Sequence, residues 1–181
     1  MWQLGFILAT LGLVMGTTAG LLRGLDALGR YLQGEPRGGT RYGSVEEVER
    51  RLGARLLLPA YFPETLEWPP ATIRLLAGPP PSVVLSFAGR KGSGQRLVIY
   101  YQISGGAGPI LPEPLPPGQV LHTTTVSLQG SEGELSRIAS EDGEIWHALS
   151  WEKEGRRIAL RFKGPLGELL KMARSMGRQG P

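Results

Sequence analysis

The chain opens with an apolar stretch that carries no charge from Trp2 to Leu22. In a helix these 21 residues would extend about 31 Å, which matches the thickness of the hydrocarbon core of a membrane. Leucines then recur at helical spacing among polar residues as far as position 32. The pattern predicts a transmembrane helix with an amphipathic continuation over residues 1–33, followed by a flexible linker over 34–43.

Residues 44–181 have the patterning of a folded soluble domain that begins and ends with a helix. Ser44 and Glu47 are spaced as a capping box, and Gly53 is placed to end the short helix that follows them. Near the C-terminus, GPLGELLKMARSMG has an apolar stripe at helical spacing. The stripe contains Leu166, Leu169, Leu170, Ala173 and either Met172 or Met176.

Between these helices, apolar and β-branched runs alternate with turn residues. The runs are ATIRLLAG, SVVLSFAG, QRLVIYYQIS, TTTVSLQG, GELSRIAS, IWHALSWE and RRIALRFKG. QRLVIYYQIS is apolar on both faces, which is typical of a central strand. The sequence predicts an α+β fold: a mostly antiparallel sheet of about six or seven strands with the C-terminal helix packed on one face, preceded by a single N-terminal transmembrane helix.

Two further patterns predict which side chains are buried. The proline-rich segment 56–70 supplies large apolar residues to the core, with a ligand-binding aromatic cluster as the alternative. They are Leu56, Leu57, Leu58, Tyr61, Phe62, Leu66 and Trp68. In the strand RRIALRF, the apolar positions alternate with Arg157, Ala159 and Arg161, which predicts a half-exposed antiparallel strand.

Glycine recurs once per turn in the predicted transmembrane helix, at Gly12, Gly16, Gly20 and Gly24. In water each helix glycine is destabilising by about 1 kcal/mol relative to alanine. In lipid, a ridge without side chains lets a second helix approach closely, so that van der Waals contact drives association. We therefore expect this ridge to be a helix-association site; a groove that faces lipid is the alternative.

The composition narrows the function classes. The net charge is +4, but the basic residues are scattered and form no run typical of a nucleic-acid-binding arm. Cysteine is absent, which excludes disulfides, thiol nucleophiles and thiolate metal sites. Asparagine is absent too and arginine far outnumbers lysine, which favours a thermophilic source. We expect no nucleic-acid partner.

Catalytic residue patterns are weak throughout the sequence. The chain has two histidines, His122 and His147, and neither stands in a spaced metal-binding motif. A Ser-His-Asp arrangement would need Asp142 as its acid, and no GxSxG elbow accompanies it. The sequence therefore predicts a protein that is not an enzyme and has no cofactor and no metal site.

The segments LLLPAYFPETL and LSWEKEGRRIALRFKGPLGELLKMARSM give the chain a resemblance to a known family. It resembles a bacterial domain of unknown function that forms the extracytoplasmic C-terminal part of anti-sigma-factor-like and lipoprotein-like membrane-anchored proteins. The match covers about residues 56–177, with Thr65 where the family usually has glycine. The positions corresponding to the family's tail motif are Trp151, Leu166, Glu168, Leu169, Ala173, Ser175 and Met176.

The resemblance implies a membrane-anchored sensory, regulatory or binding module outside the cytoplasm. The alternative is a single-span accessory subunit of a larger membrane complex, docked through the glycine ridge. The partners expected are the membrane and another transmembrane helix, from a second copy or from a partner subunit. Arg23, Arg30, Arg37 and Arg41 follow the span and by the positive-inside rule favour a cytoplasmic domain. We expect the extracytoplasmic orientation that the resemblance implies.

Replacing Gly16 and Gly20 with leucine tests the glycine ridge. The added side chains separate the helices, so association in a membrane reporter assay should weaken by about 1 kcal/mol or more. Leu11→Ile serves as the expression control, because position 11 lies off the glycine ridge and keeps a large apolar side chain. Unchanged association in the glycine variants would mean that the ridge faces lipid.

Overall fold

The computed structural model describes residues 39–77, 80–103 and 118–177. The strands are β1 (Thr40–Tyr42), β2 (Leu58–Pro59), β3 (Thr72–Leu76), β4 (Ser82–Ala88), β5 (Arg96–Ile103), β6 (Gly118–Leu128), β7 (Ser131–Ser140), β8 (Ile145–Lys153), β9 (Arg156–Lys163) and β10 (Met176–Gly177). The helices are α1 (Val45–Leu52) and α2 (Leu166–Arg174). These residues build an eight-stranded antiparallel sheet in the order β1-β3-β4-β5-β9-β8-β7-β6, while β2 pairs with β10.

The predicted mostly antiparallel sheet with a C-terminal helix is confirmed, with eight strands in the main sheet where six or seven were expected. One of these strands comes from the segment predicted as linker: β1 pairs with β3, with Arg41 opposite Arg74. The sheet therefore begins before residue 44. No helix among the described residues is long and apolar enough to cross a membrane. The predicted span lies outside the described residues.

Local sequence signals set the limits of α1 as expected. The Ser44 hydroxyl accepts a hydrogen bond from the Glu47 backbone N–H at 3.2 Å. The Glu47 carboxylate reaches back to accept from the Gly43 N–H at 3.1 Å, one residue earlier than in the usual capping box. Gly53 ends the helix with a φ of 68°, a left-handed conformation that suits glycine. The cap thus satisfies backbone donors at the helix N-terminus that would otherwise be unpaired.

Both helices pack on the same side of the sheet, which we call the helix face. Helix α2 buries Leu169, Met172 and Ala173, as its stripe predicted, although Leu166 at its start is 37% exposed. On the sheet, the central strands supply the alternate side chains that meet the helices. They include Val83, Leu85, Phe87, Leu97, Ile99, Tyr101, Ile158, Leu160 and Phe162.

On the opposite side of the sheet, which we call the far face, the prediction for β9 is wrong. Ala159 and Arg161 were expected to be exposed, yet they retain only 2% and 4% of their accessible surface. Strand β9 lies between β5 and β8, and a second apolar cluster of Val84, Val98, Tyr100 and Ala159 forms there. The Arg161 guanidinium lies 5.8 Å from the centre of the Tyr100 ring, a cation–π distance. Alternation within one strand could not reveal this burial, because it depends on the neighbouring strands.

Candidate functional site

Strand β6 forms one edge of the eight-stranded sheet and is its longest strand, with 11 residues. Every residue from Gln119 to Thr125 is exposed to solvent. The strand contains no Asp, Glu, Lys, Arg or Pro, the residues with which edge strands are usually protected against pairing. At the other edge, β1 has only three residues and includes Arg41. The β6 edge is therefore the longer and less protected of the two.

The turn between β6 and β7 fixes which backbone groups of β6 point outward. Gln129 and Gly130 both have positive φ, 32° and 89°, as in a two-residue type I′ turn. Such a turn joins a hydrogen-bonded pair, here Leu128 and Ser131. Since the pairs alternate along an antiparallel ladder, the N–H and C=O groups of Thr123, Thr125 and Ser127 point away from β7.

Two large aliphatic side chains lie exposed on the same strand. Val120 is 52% and Leu121 48% exposed, and Leu121 is the extra residue where the register between β6 and β7 shifts. A bulge of this kind increases the local twist and limits how far a straight partner strand can continue. The uninterrupted part of the edge thus runs from His122 to Leu128.

Both histidines of the chain lie in one lateral row with Arg137. His122 on β6 is opposite Arg137 on β7, and Arg137 is opposite His147 on β8. Beyond His147 the row continues to Phe162 of the buried core, which places the three basic groups on the helix face. Directly opposite side chains on neighbouring strands have Cβ atoms about 5 Å apart. We call His122, Arg137 and His147 the basic row.

His147 is the inner member of this row and is partly buried. Its Nδ1 lies 3.2 Å from the Gly164 carbonyl oxygen. Because a carbonyl only accepts, this contact assigns the proton of the neutral ring to Nδ1. Burial lowers the pKa of His147; the hydrogen bond to Gly164 opposes that shift, and the positive charge of Arg137 adds to it. Burial, with a smaller contribution from Arg137, therefore keeps His147 in its neutral form to a lower pH than usual.

The segment 56–70 supplies a second exposed feature, and here the core prediction is partly wrong. Leu56, Leu57, Leu58 and Leu66 are buried, but Trp68 is 55% and Tyr61 38% exposed. Trp68 stacks on Phe87 with ring centres 5.8 Å apart, while Phe62 packs edge-on against it. Trp68 thus covers the rim of the core with one face and presents the other to solvent.

Tyr61 belongs instead to a small polar cluster on α2. Its hydroxyl donates a short hydrogen bond to Glu168, and the Lys171 ammonium bonds the same carboxylate at 2.9 Å. These two hydrogen bonds, led by that from Tyr61, lower the pKa of Glu168. The cluster is satisfied by its own members, which is typical of a surface contact between a loop and a helix.

The histidines and Asp142 do not form a Ser-His-Asp arrangement. The Asp142 carboxylate accepts from the Ser140 hydroxyl within its own turn, and His147 is oriented by Gly164. No group of three or more His, Asp or Glu residues in the described ranges is placed to hold a metal ion. That the protein is not an enzyme, and has no cofactor, stays a prediction.

The predicted helix-association residues, Gly12, Gly16, Gly20 and Gly24, lie outside the described residues. Sequence inspection did not single out the β6 edge or the basic row. The threonine run and the two histidines were visible, but their placement at an edge depends on strand order. No family model, curated protein or solved structure matches the chain. The family resemblance therefore stays an expectation.

The lowered pKa of His147 predicts a pH-dependent stability. At pH values between the folded-state pKa and the unfolded value of about 6.5, the unfolded chain binds more protons, so stability falls as the pH is lowered through this range. Thermal unfolding, followed by tryptophan fluorescence at pH 7.5 and pH 5.5, should show a drop in Tm at the lower pH. The His147→Gln variant should show a smaller drop.

Gln119→Ala provides the matched control, because it changes an exposed, non-titrating residue of β6. The control should retain the wild-type drop in Tm. An equal drop in wild type and in His147→Gln would contradict the assignment of this pH dependence to His147.

Proposed function

We propose that this chain is a membrane-anchored, non-enzymatic binding module whose β6 edge captures an extended segment of a partner protein, with the domain outside the cytoplasm. The observation that carries the binding role is the long edge of β6, exposed and free of charged side chains. The membrane anchor rests on the apolar, uncharged segment Trp2 to Leu22. The extracytoplasmic placement rests on the family resemblance.

Addition of a strand suits this edge because the backbone itself supplies the affinity. An extended segment beside β6 would exchange hydrogen bonds with Thr123, Thr125 and Ser127, as in other cases of strand addition. The part of β6 from His122 to Leu128 spans about 23 Å at the usual rise per residue. Val120 and Leu121 add exposed apolar surface next to this stretch.

A sensory or regulatory role and an accessory-subunit role differ in how the partner is held. In the first, the soluble domain binds and releases a segment at the β6 edge. In the second, the glycine ridge holds the partner and the domain is a secondary contact. The exposed edge favours the first role. An unprotected edge strand promotes aggregation, so we expect this edge to be kept exposed because it binds a partner.

The Thr125→Pro variant tests the edge in the full chain in neutral detergent micelles. The probe is the C-terminally amidated peptide Thr-Val-Thr-Val-Thr-Val-Gln, whose seven residues match His122 to Leu128 and whose binding is followed through the NMR signals of the β6 amides. Proline removes an outward N–H without breaking the ladder to β7, since edge strands tolerate proline at such positions. Peptide binding should weaken about tenfold, as expected when a backbone hydrogen bond is lost and the ring obstructs the edge.

Thr125→Val is the matched control, because it keeps the backbone N–H and the β-branched shape. It should bind the peptide as the wild type does. If the amides of Thr123, Thr125 and Ser127 show no response to the peptide in the wild type, the proposed binding edge is wrong.

Fusions to the C-terminus test the orientation. If the domain is extracytoplasmic, a C-terminal alkaline phosphatase should be active, because that enzyme needs an oxidising compartment for its disulfides. A C-terminal green fluorescent protein exported in the same way should remain dark. The opposite pair of results would place the domain in the cytoplasm and favour the accessory-subunit alternative.

A further inference from the structure

The strands of the main sheet place no Asp or Glu side chain on the helix face, where the basic row lies. Arg137 is exposed and forms no ion pair with any residue of the described ranges. The glutamates of β7 and β8 occupy the alternate positions and so lie on the far face. These are Glu132, Glu134 and Glu152. A guanidinium is therefore held beside the β6 edge with its hydrogen-bonding groups open to an incoming side chain.

We propose that the segment captured at β6 is acidic, with a carboxylate side chain directly opposite His122 that accepts hydrogen bonds from Arg137 and from the His122 ring. This inference rests on the proposed function, because it names the partner of the same edge. An arginine guanidinium offers a planar set of donors that matches a carboxylate in a bidentate pair. The partner would thus extend the row across four strands.

The backbone geometry favours this contact. The N–H and C=O of His122 point toward β7, in the same register as those of Thr124, so a docked strand meets His122 as a non-hydrogen-bonded pair. In such pairs the Cα atoms are about 4.5 Å apart and the side chains are at their closest. Arg137 is one strand further, about 5 Å from His122, and its long side chain can reach across.

The inner side of the row leaves Arg137 no competing partner in the part of the chain that the structure describes. His147 donates its Nδ1 proton to the Gly164 carbonyl. The next residue beyond His147 in the same lateral row is Phe162, which lies in the buried core. Within the row, the end that is open to a carboxylate is therefore the β6 edge.

A second copy of this chain fits the edge less well than an acidic partner. Strand β6 contains no Asp or Glu, so antiparallel pairing of two β6 strands adds no carboxylate opposite His122 in any register. Such pairing would leave both Arg137 side chains without an acidic partner from β6. Charge complementarity thus favours an acidic partner segment over the β6 strand of a second copy.

The test compares two C-terminally amidated peptides that differ only in the last residue, Thr-Val-Thr-Val-Thr-Val-Glu and Thr-Val-Thr-Val-Thr-Val-Gln. Antiparallel docking along His122 to Leu128 sets that last residue opposite His122 without crossing the bulge at Leu121. Both are titrated by NMR into the full chain in neutral detergent micelles at low ionic strength. The glutamate peptide should bind about fivefold more tightly, the upper end of the effect expected for an exposed charge pair. The preference should shrink as salt is added.

Arg137→Gln should reduce this preference to about twofold or less while leaving the affinity for the glutamine peptide unchanged. Arg90→Gln is the matched control, since Arg90 is an exposed arginine in the turn between β4 and β5. The control should keep the full preference. The readout is a ratio between two peptides, so a general loss of stability would not imitate the expected result.

The outcomes separate the two proposals. Equal affinity for both peptides would overturn the acidic partner while leaving the β6 edge as a binding site. Binding of neither peptide would overturn the proposed function itself. A dimer of the chain that dissociates on Thr125→Pro substitution would show that a second copy occupies the edge, and this too would overturn the acidic partner.

Discussion

The helix layer is much narrower than the sheet that it covers. Helices α1 and α2 have eight and nine residues, which corresponds to lengths of about 12 and 14 Å. Eight strands at the usual spacing measure about 34 Å from edge to edge. The main contacts of the helices with this sheet are to β1, β3, β8 and β9, whereas the main contacts of β6 are to β7 alone. The exposure of β6 and of the basic row follows from this mismatch.

The composition of β6 is consistent with a strand that has neither face covered. Threonine is β-branched and favours extended backbone, yet its hydroxyl remains hydrated, so it suits an exposed strand better than valine or isoleucine. Only Leu128, next to the turn, is buried in the core. The Thr123 and Ser136 hydroxyls lie 2.9 Å apart and add a cross-strand hydrogen bond on the far face. The strand is thus held by its ladder to β7 and by its turn, with little apolar burial.

Features that depend on a few neighbouring residues could be predicted from the sequence. The cap of α1, the end of that helix at Gly53 and the approximate positions of the main strands from β3 to β9 follow from local chemistry. Strand β6 is the exception in length, since it begins at Gly118, before the predicted run TTTVSLQG. The lateral order of the strands could not be predicted, because it is not set by neighbouring residues in the sequence. Strand β9, for example, lies between β5 and β8 and not at an edge of the sheet. That insertion explains both the burial of Arg161 and the error in predicting its exposure. Trp68 was misplaced for a related reason: its ring packs on Phe87 of β4, a contact between residues that are distant in the sequence.

The basic row could not be predicted for the same reason, and its composition is consistent with the binding role proposed for it. His122, Arg137 and His147 are far apart in sequence, and only the register of three strands brings them together. Basic groups placed side by side do not help the fold, because a protonated His147 would stand directly opposite the positive charge of Arg137. Burial is the main cause of the lowered pKa of His147, and Arg137 adds to it. Local choices that oppose the stability of the fold are expected where a protein binds or reacts. A carboxylate arriving at the β6 edge would remove the conflict, since it would give Arg137 the counter-charge that its own face of the sheet does not supply.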